Sequence, residues 1–151
     1  MNHRIQKSVL AGIIGTAVMT LIIMAAPMMG MPKMSPPNML AGILGMPVAI
    51  GWIMHFMIGI IFALAYTYMI AAKLKVSNHF IKGAIFGVIA FVFAQIMMKL
   101  MGMIMPMPAM EGPMILAAIG SLMGHIIFGM AVAKTVGETY CSGEFCETKT
   151  S

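Results

Sequence analysis

Charge is what this chain is short of. Four of its 151 residues are acidic and nine are Lys or Arg, so 9% are charged. A soluble domain carries roughly 25% charged residues, and a water-exposed surface cannot be built from this stock. The scarcity of acids also removes classes of chemistry. The carboxylates are Glu111, Glu138, Glu144 and Glu147, and they offer no pairing for general acid and base work. No Gly-rich phosphate loop and no nucleophile–base arrangement occurs either, so no enzymatic activity is expected. Cysteine is nearly absent: Cys141 and Cys146 stand alone, without a second pair or zinc-finger spacing.

Apolar sequence fills the space that charge leaves. The chain is 61% hydrophobic, with a mean hydropathy of +0.99. Four long apolar runs, at about 8–26, 48–72, 80–103 and 114–136, each approach the ~20 residues that cross ~30 Å of hydrocarbon. The expected fold is all-α: one four-helix transmembrane domain over 1–136, followed by a polar cytoplasmic tail over 137–151. The net charge of +5 then reflects topology and calls for no nucleic acid. Arg4, Lys7, Lys73, Lys75, Lys82, Lys134 and Lys149 fall on one side of that arrangement, with Lys33 and Lys99 on the other. Basic residues near helix ends stay in the cytoplasm, so both termini are expected there, with outward loops at about 27–47 and 102–113. The first run resembles a signal peptide in having Arg4 and Lys7 before an apolar stretch ending at Pro27. An internal repeat argues that it stays attached.

That repeat is visible in small residues. Shifted by 72, Ala11 and Gly15 fall on Gly83 and Gly87; shifted by 70, His55, Gly59 and Ala63 fall on His125, Gly129 and Ala133. The expectation is two tandem helical hairpins related by a pseudo-two-fold axis along the membrane normal. Gly51, His55, Gly59 and Ala63 are four apart, as are Ser121, His125, Gly129 and Ala133. Each set therefore shares one helix face, a stripe of small residues interrupted by a histidine.

Methionine is the other surplus. Six occur within 27–47, namely Met28, Met29, Met31, Met34, Met39 and Met46. Eight more, Met97, Met98, Met101, Met103, Met105, Met107, Met110 and Met114, lie around the second outward loop, so fourteen of the 22 flank the two loops. Five prolines in the first loop favour extended or turn conformations, and alternation on an extended segment places several sulfurs on one side. Thioethers are soft neutral ligands suited to Cu(I). The candidate metal ligands are therefore Met29, Met31, Met34, Met101, Met103, Met105, Met107 and Met110, with His55 and His125 deeper in the bilayer. Methionine also fills irregular apolar gaps without any metal.

The histidines carry three readings. Each ring can serve as an interhelical hydrogen-bonding group. Both can join Met54, Met57 or Met123 in a deeper stop for Cu(I). Both can be axial ligands of a haem b, with the glycines making room for the porphyrin. Gln95 and Lys99, one turn apart, read as polar residues near a helix end where Lys99 snorkels to the headgroups.

The segments MMGMPKMSPPNM at 28–39, GWIMHF at 51–56 and GHIIFG at 124–129 resemble a family of small, uncharacterised bacterial four-helix transmembrane proteins. The resemblance covers the four helices and leaves out the cysteine tail. It implies the topology and a bacterial inner (plasma) membrane location, and no activity. The leading expectation is an integral membrane protein that binds or passes Cu(I) through methionine-rich loops. The alternatives are a bis-His haem b protein and an accessory subunit or assembly factor of a larger membrane complex. Its partners are then the bilayer and either another membrane protein or a second copy of the chain.

Overall fold

The computed structural model describes residues 3–33, 35–71, 73–74, 76, 78–105 and 113–137. Among them are five α-helices and no strand: α1 His3–Ala25, α2 Pro36–Leu44, α3 Val48–Ala65, α4 His79–Ile104 and α5 Met114–Val136. A π-turn, Tyr66–Ile70, extends α3. With it, α1, α3, α4 and α5 are each long and apolar enough to cross a bilayer, and the helical protein they form fits a membrane-embedded fold. The first span starts about five residues earlier than the hydropathy run indicates, because the basic turn at Arg4–Lys7 is already helical.

The prolines of the first loop act differently from the expectation of extended chain. Pro36 and Pro37 occupy the first turn of α2, where a missing N–H costs nothing and the fixed φ suits a helix. Gly45, at φ +62°, closes that helix in the left-handed region. The next amide, Met46 N–H, donates to the Ala41 carbonyl at 2.9 Å, which satisfies an otherwise orphaned acceptor. The short helix lies on α3, where Gly51 faces the Pro37 carbonyl and the Ala41 methyl.

Close glycine contacts set the helix pairs. A Cβ on Gly12 of α1 would lie 2.5 Å from Ile60 Cα on α3; one on Gly83 of α4 would lie 2.6 Å from the Gly129 carbonyl and 2.7 Å from Met130 Cα on α5. Both pairs thus approach backbone to backbone through small residues. Beyond that shared contact the halves differ. A seam joins α1 to α5, with Gly15 against Phe128 and Val132, and Gly124 against Ile23. No packing of that extent joins α3 to α4. The helices therefore stand in a curved row, α2–α3–α1–α5–α4, whose concave side lies between α3 and α4.

The two ends of the bundle are built differently. At the amino-terminal end Tyr66, Phe86 and Phe128 stack in sequence, with centroids 4.9 Å and 6.3 Å apart, inside a core that includes Ala11, Ala63, Val132 and Ala133. The buried Ser8 hydroxyl lies 2.8 Å from both the Arg4 carbonyl and Thr67 Oγ1 and can donate to either. Lys82 Nζ donates to the Ala71 carbonyl at 3.2 Å, tying α4 to the chain after α3. Arg4, Lys7, Lys73, Lys82 and Lys134 gather at this end, while Lys33 and Lys99 lie towards the end that carries α2. Towards the α2 end the helices separate and leave a cavity.

Candidate ligand-binding site

The histidine stripes are where the four-residue spacing puts them. Gly51, His55, Gly59 and Ala63 are the buried residues of α3. His55 turns towards α1, where its Nε2 lies 2.9 Å from Thr20 Oγ1. The Thr20 hydroxyl itself donates to the Thr16 carbonyl at 2.7 Å. A hydroxyl has one proton and two lone pairs, so with that proton engaged Thr20 must accept from His55. This assigns the proton to Nε2 and leaves Nδ1 as a bare lone pair. On α5 the His125 Nδ1 donates to the Ser121 carbonyl at 2.7 Å, since a carbonyl can only accept. There the bare lone pair is on Nε2. Phe91 of α4 meets the His125 ring edge to face, 5.8 Å between centroids. Each imidazole is thus fixed by one nitrogen, and the other has no hydrogen-bond partner among the described residues.

Both rings line one cavity of about 530 Å³. Its walls are mostly apolar and come from all five helices: Ile23 from α1, Leu40 from α2, Phe62 from α3, Ala90 and Ala94 from α4, Ala117 from α5. Four methionines, Met19, Met39, Met98 and Met114, share it. Its polar groups are few. Gln95 and Lys99 contribute from α4, and Ser121 and Thr16 from α5 and α1. Thr16 Oγ1 is buried without a hydrogen-bond partner and packs on Gly59, which has no room for a side chain there. A volume of several hundred Å³, apolar walls and a handful of convergent polar groups describe a small-molecule site.

The expected methionine ligands among the described residues do not line this cavity. Met29 and Met103 are more than four-fifths exposed and Met105 is also exposed, while Met31 and Met101 are partly covered and line no part of it. The expected alternation of sulfurs along an extended segment fails for Met101 and Met103, because α4 continues to Ile104. Helical residues two apart point about 200° from one another. Met34, Met107 and Met110, with Cys141 and Cys146, lie outside the described residues. Of the deeper candidates, Met57 and Met123 are exposed and none of Met54, Met57 and Met123 lines the cavity. Among the described residues no group of three or more His, Cys, Asp or Glu could hold a metal.

Sequence reasoning missed Thr20, which fixes His55, and the cavity methionines Met19 and Met98. Thr16 and Thr20 lie four apart on an apolar helix, and that spacing was the available signal. Gln95 and Lys99 read from the sequence as polar residues near a helix end, with Lys99 at the headgroups; both line the cavity.

Four bilayer-length apolar helices define the class: a small helical protein fitted to a membrane, with a half-open cavity between its helices. Within that class the chain belongs to a family of unknown function, DUF6789, whose model matches residues 2–143. No curated protein and no solved structure matches it.

Proposed function

We propose that this chain is an integral membrane protein that binds a haem b, with His55 and His125 as its axial ligands. The observation that carries the proposal is that both imidazoles line the same apolar cavity, each anchored through one ring nitrogen. Metal-ligating histidines characteristically donate their second N–H to a protein acceptor, which fixes ring and tautomer. Thr20 and Ser121 supply such acceptors here.

Volume and charge favour haem over a bare ion. About 530 Å³ suits an organic ligand, whereas a coordinated ion needs little more than its shell at about 2.0–2.3 Å. A ferrous porphyrin core with two neutral imidazoles carries no net charge. Bare Cu(I) brings a full charge into apolar surroundings, where the cost is several kcal/mol, of order 5. One observation favours Cu(I) as a second reading: Met19, Met39, Met98 and Met114 share the cavity with both histidines, and thioether with imidazole is a soft donor set.

Three further features belong to this proposal. The gathering of Arg4, Lys7, Lys73, Lys82 and Lys134 at one end supports a cytoplasmic amino-terminal end. With that orientation the cavity would lie towards the opposite leaflet of a bacterial inner membrane. The recurrence of the glycine contact in α1–α3 and α4–α5 supports an origin of the two halves as copies of one hairpin.

The test is protein purified without chelator from cells supplied with haem and copper, examined by visible spectrum and elemental analysis. The haem reading expects a Soret band that is lost in His55→Ala and in His125→Ala. Colourless protein carrying copper that is lost in Met98→Leu establishes the second reading instead. Colourless protein without copper overturns both.

A further inference from the structure

The polar groups of the cavity are distributed unevenly along its length, and the distribution implies an orientation for what it holds. The two bare imidazole nitrogens accept hydrogen bonds or ligate a metal; neither can hold an anion. Gln95 and Lys99 are different. They lie one helical turn apart on α4, and both line the cavity. Phe91, which touches the His125 ring, precedes Lys99 by eight residues, so Lys99 stands about 12 Å further along the helix at ~1.5 Å per residue.

Neither polar group is otherwise engaged among the described residues. The Lys99 ammonium makes no ion pair or hydrogen bond among the described residues, and neither does the half-buried Gln95 amide. A lysine within an apolar span is costly, about 2.5–3.5 kcal/mol at the centre of a helix. Lys99 lies five residues before the end of α4 and is exposed, so its cost is smaller, and it borders the chamber. Among the described residues, Lys33 and Lys99 are also the two cations away from the basic end of the bundle. No acidic residue occurs among the described residues to account for either.

We infer that Lys99 and Gln95 form the anion-holding end of the cavity, and that its occupant is an amphiphile whose carboxylates lie there while its apolar body reaches to His55 and His125. The inference rests on the haem reading and deepens it, because haem b has this polarity: a central metal for the two imidazoles, an apolar macrocycle, and two propionates on one edge. An ammonium with an adjacent amide N–H matches carboxylate acceptors. Met98 and Gly102, between and beyond these residues on the same helix, line the cavity as well, so its wall beside the two polar groups is apolar.

The test compares two probes on the full chain in detergent: iron protoporphyrin IX and its dimethyl ester, which keeps the metal and macrocycle but has no carboxylate. The expected result is at least ten-fold tighter binding of the diacid by the wild type. That preference is lost in Lys99→Gln and reduced in Gln95→Leu, with the His55-dependent Soret shift intact in both, and Lys99→Arg restores it. Equal affinity for the two probes, or a preference that survives Lys99→Gln, overturns the inference and leaves the haem reading standing. No His55-dependent Soret shift with either probe overturns the haem reading, and the propionate assignment with it.

Discussion

His55 Nε2 lies 2.9 Å from Thr20 Oγ1, across the contact between α3 and α1. Since Thr20 donates its own proton to Thr16, the direction of the bond is fixed and so is the tautomer of the ring. Thr20→Val keeps the shape and removes the acceptor. The buried His55 N–H is then unsatisfied, at a cost of about 1–3 kcal/mol. Loss of such an outer-shell partner also weakens ligation by roughly 10–100-fold. Haem titration of Thr20→Val is expected to show that loss, and Thr20→Ser to restore most of the affinity.

The two anchored rings that line the cavity give a sharper prediction. On the haem reading, His55→Ala and His125→Ala each remove one axial ligand, and each is expected to abolish the six-coordinate low-spin spectrum. Added imidazole fits the space left in the apolar wall and is expected to restore it. His79, at the first residue of α4 and the far end of the bundle, serves as the control: His79→Ala is expected to bind as the wild type does. An unchanged spectrum in either cavity variant would show that the ring is only a packing element.

Much of this arrangement was legible in the sequence, and the part that was not has physical causes. The number of membrane-length helices, their spans and the buried face of α3 follow from apolar run length and four-residue spacing, which report local periodicity directly. The face carrying Gly51, His55 and Gly59 is buried as that spacing predicts. The helix after Ser35 was hidden because prolines break a helix in its interior but suit its first turn. The methionine clusters were hard to place for a related reason. Composition ranks metals without placing sulfurs, and whether Met101 and Met103 share a side depends on where α4 ends. The partnership of His55 with Thr20 joins residues 35 apart in sequence, and no periodicity encodes it.

Copper binding, where it occurs, is expected to follow the cavity and not the loops. Met19→Leu and Met98→Leu remove thioethers that share a wall with both histidines. They preserve volume well enough that the fold is expected to lose less than about 1.5 kcal/mol. Met29→Leu and Met103→Leu alter side chains that are more than four-fifths exposed. A Cu(I) competition titration is expected to weaken with the first pair and stay unchanged with the second. The opposite order would return the metal to the loop methionines.

The α4–α5 contact should bear on the site as well as on stability. A Cβ added at Gly87 would lie 2.6 Å from Ile126 Cα and would meet the His125 carbonyl as well. Both obstacles are backbone, which cannot rotate away as a side chain can, so Gly87→Ala must push α5 outward. Overpacking of this kind costs about 1–3 kcal/mol. Because the displaced segment carries His125, the same change is expected to lower ligand affinity. Gly30→Ala separates the two effects. Gly30 has φ +81° and nothing within 4 Å of an added Cβ, so its replacement costs about 1–2 kcal/mol of left-handed strain without touching the bundle. Unfolding in detergent followed by helical circular dichroism is expected to show both variants destabilised, and haem titration to show a loss in Gly87→Ala alone. Equal binding by the two would mean that His125 does not depend on the α4 seam for its position.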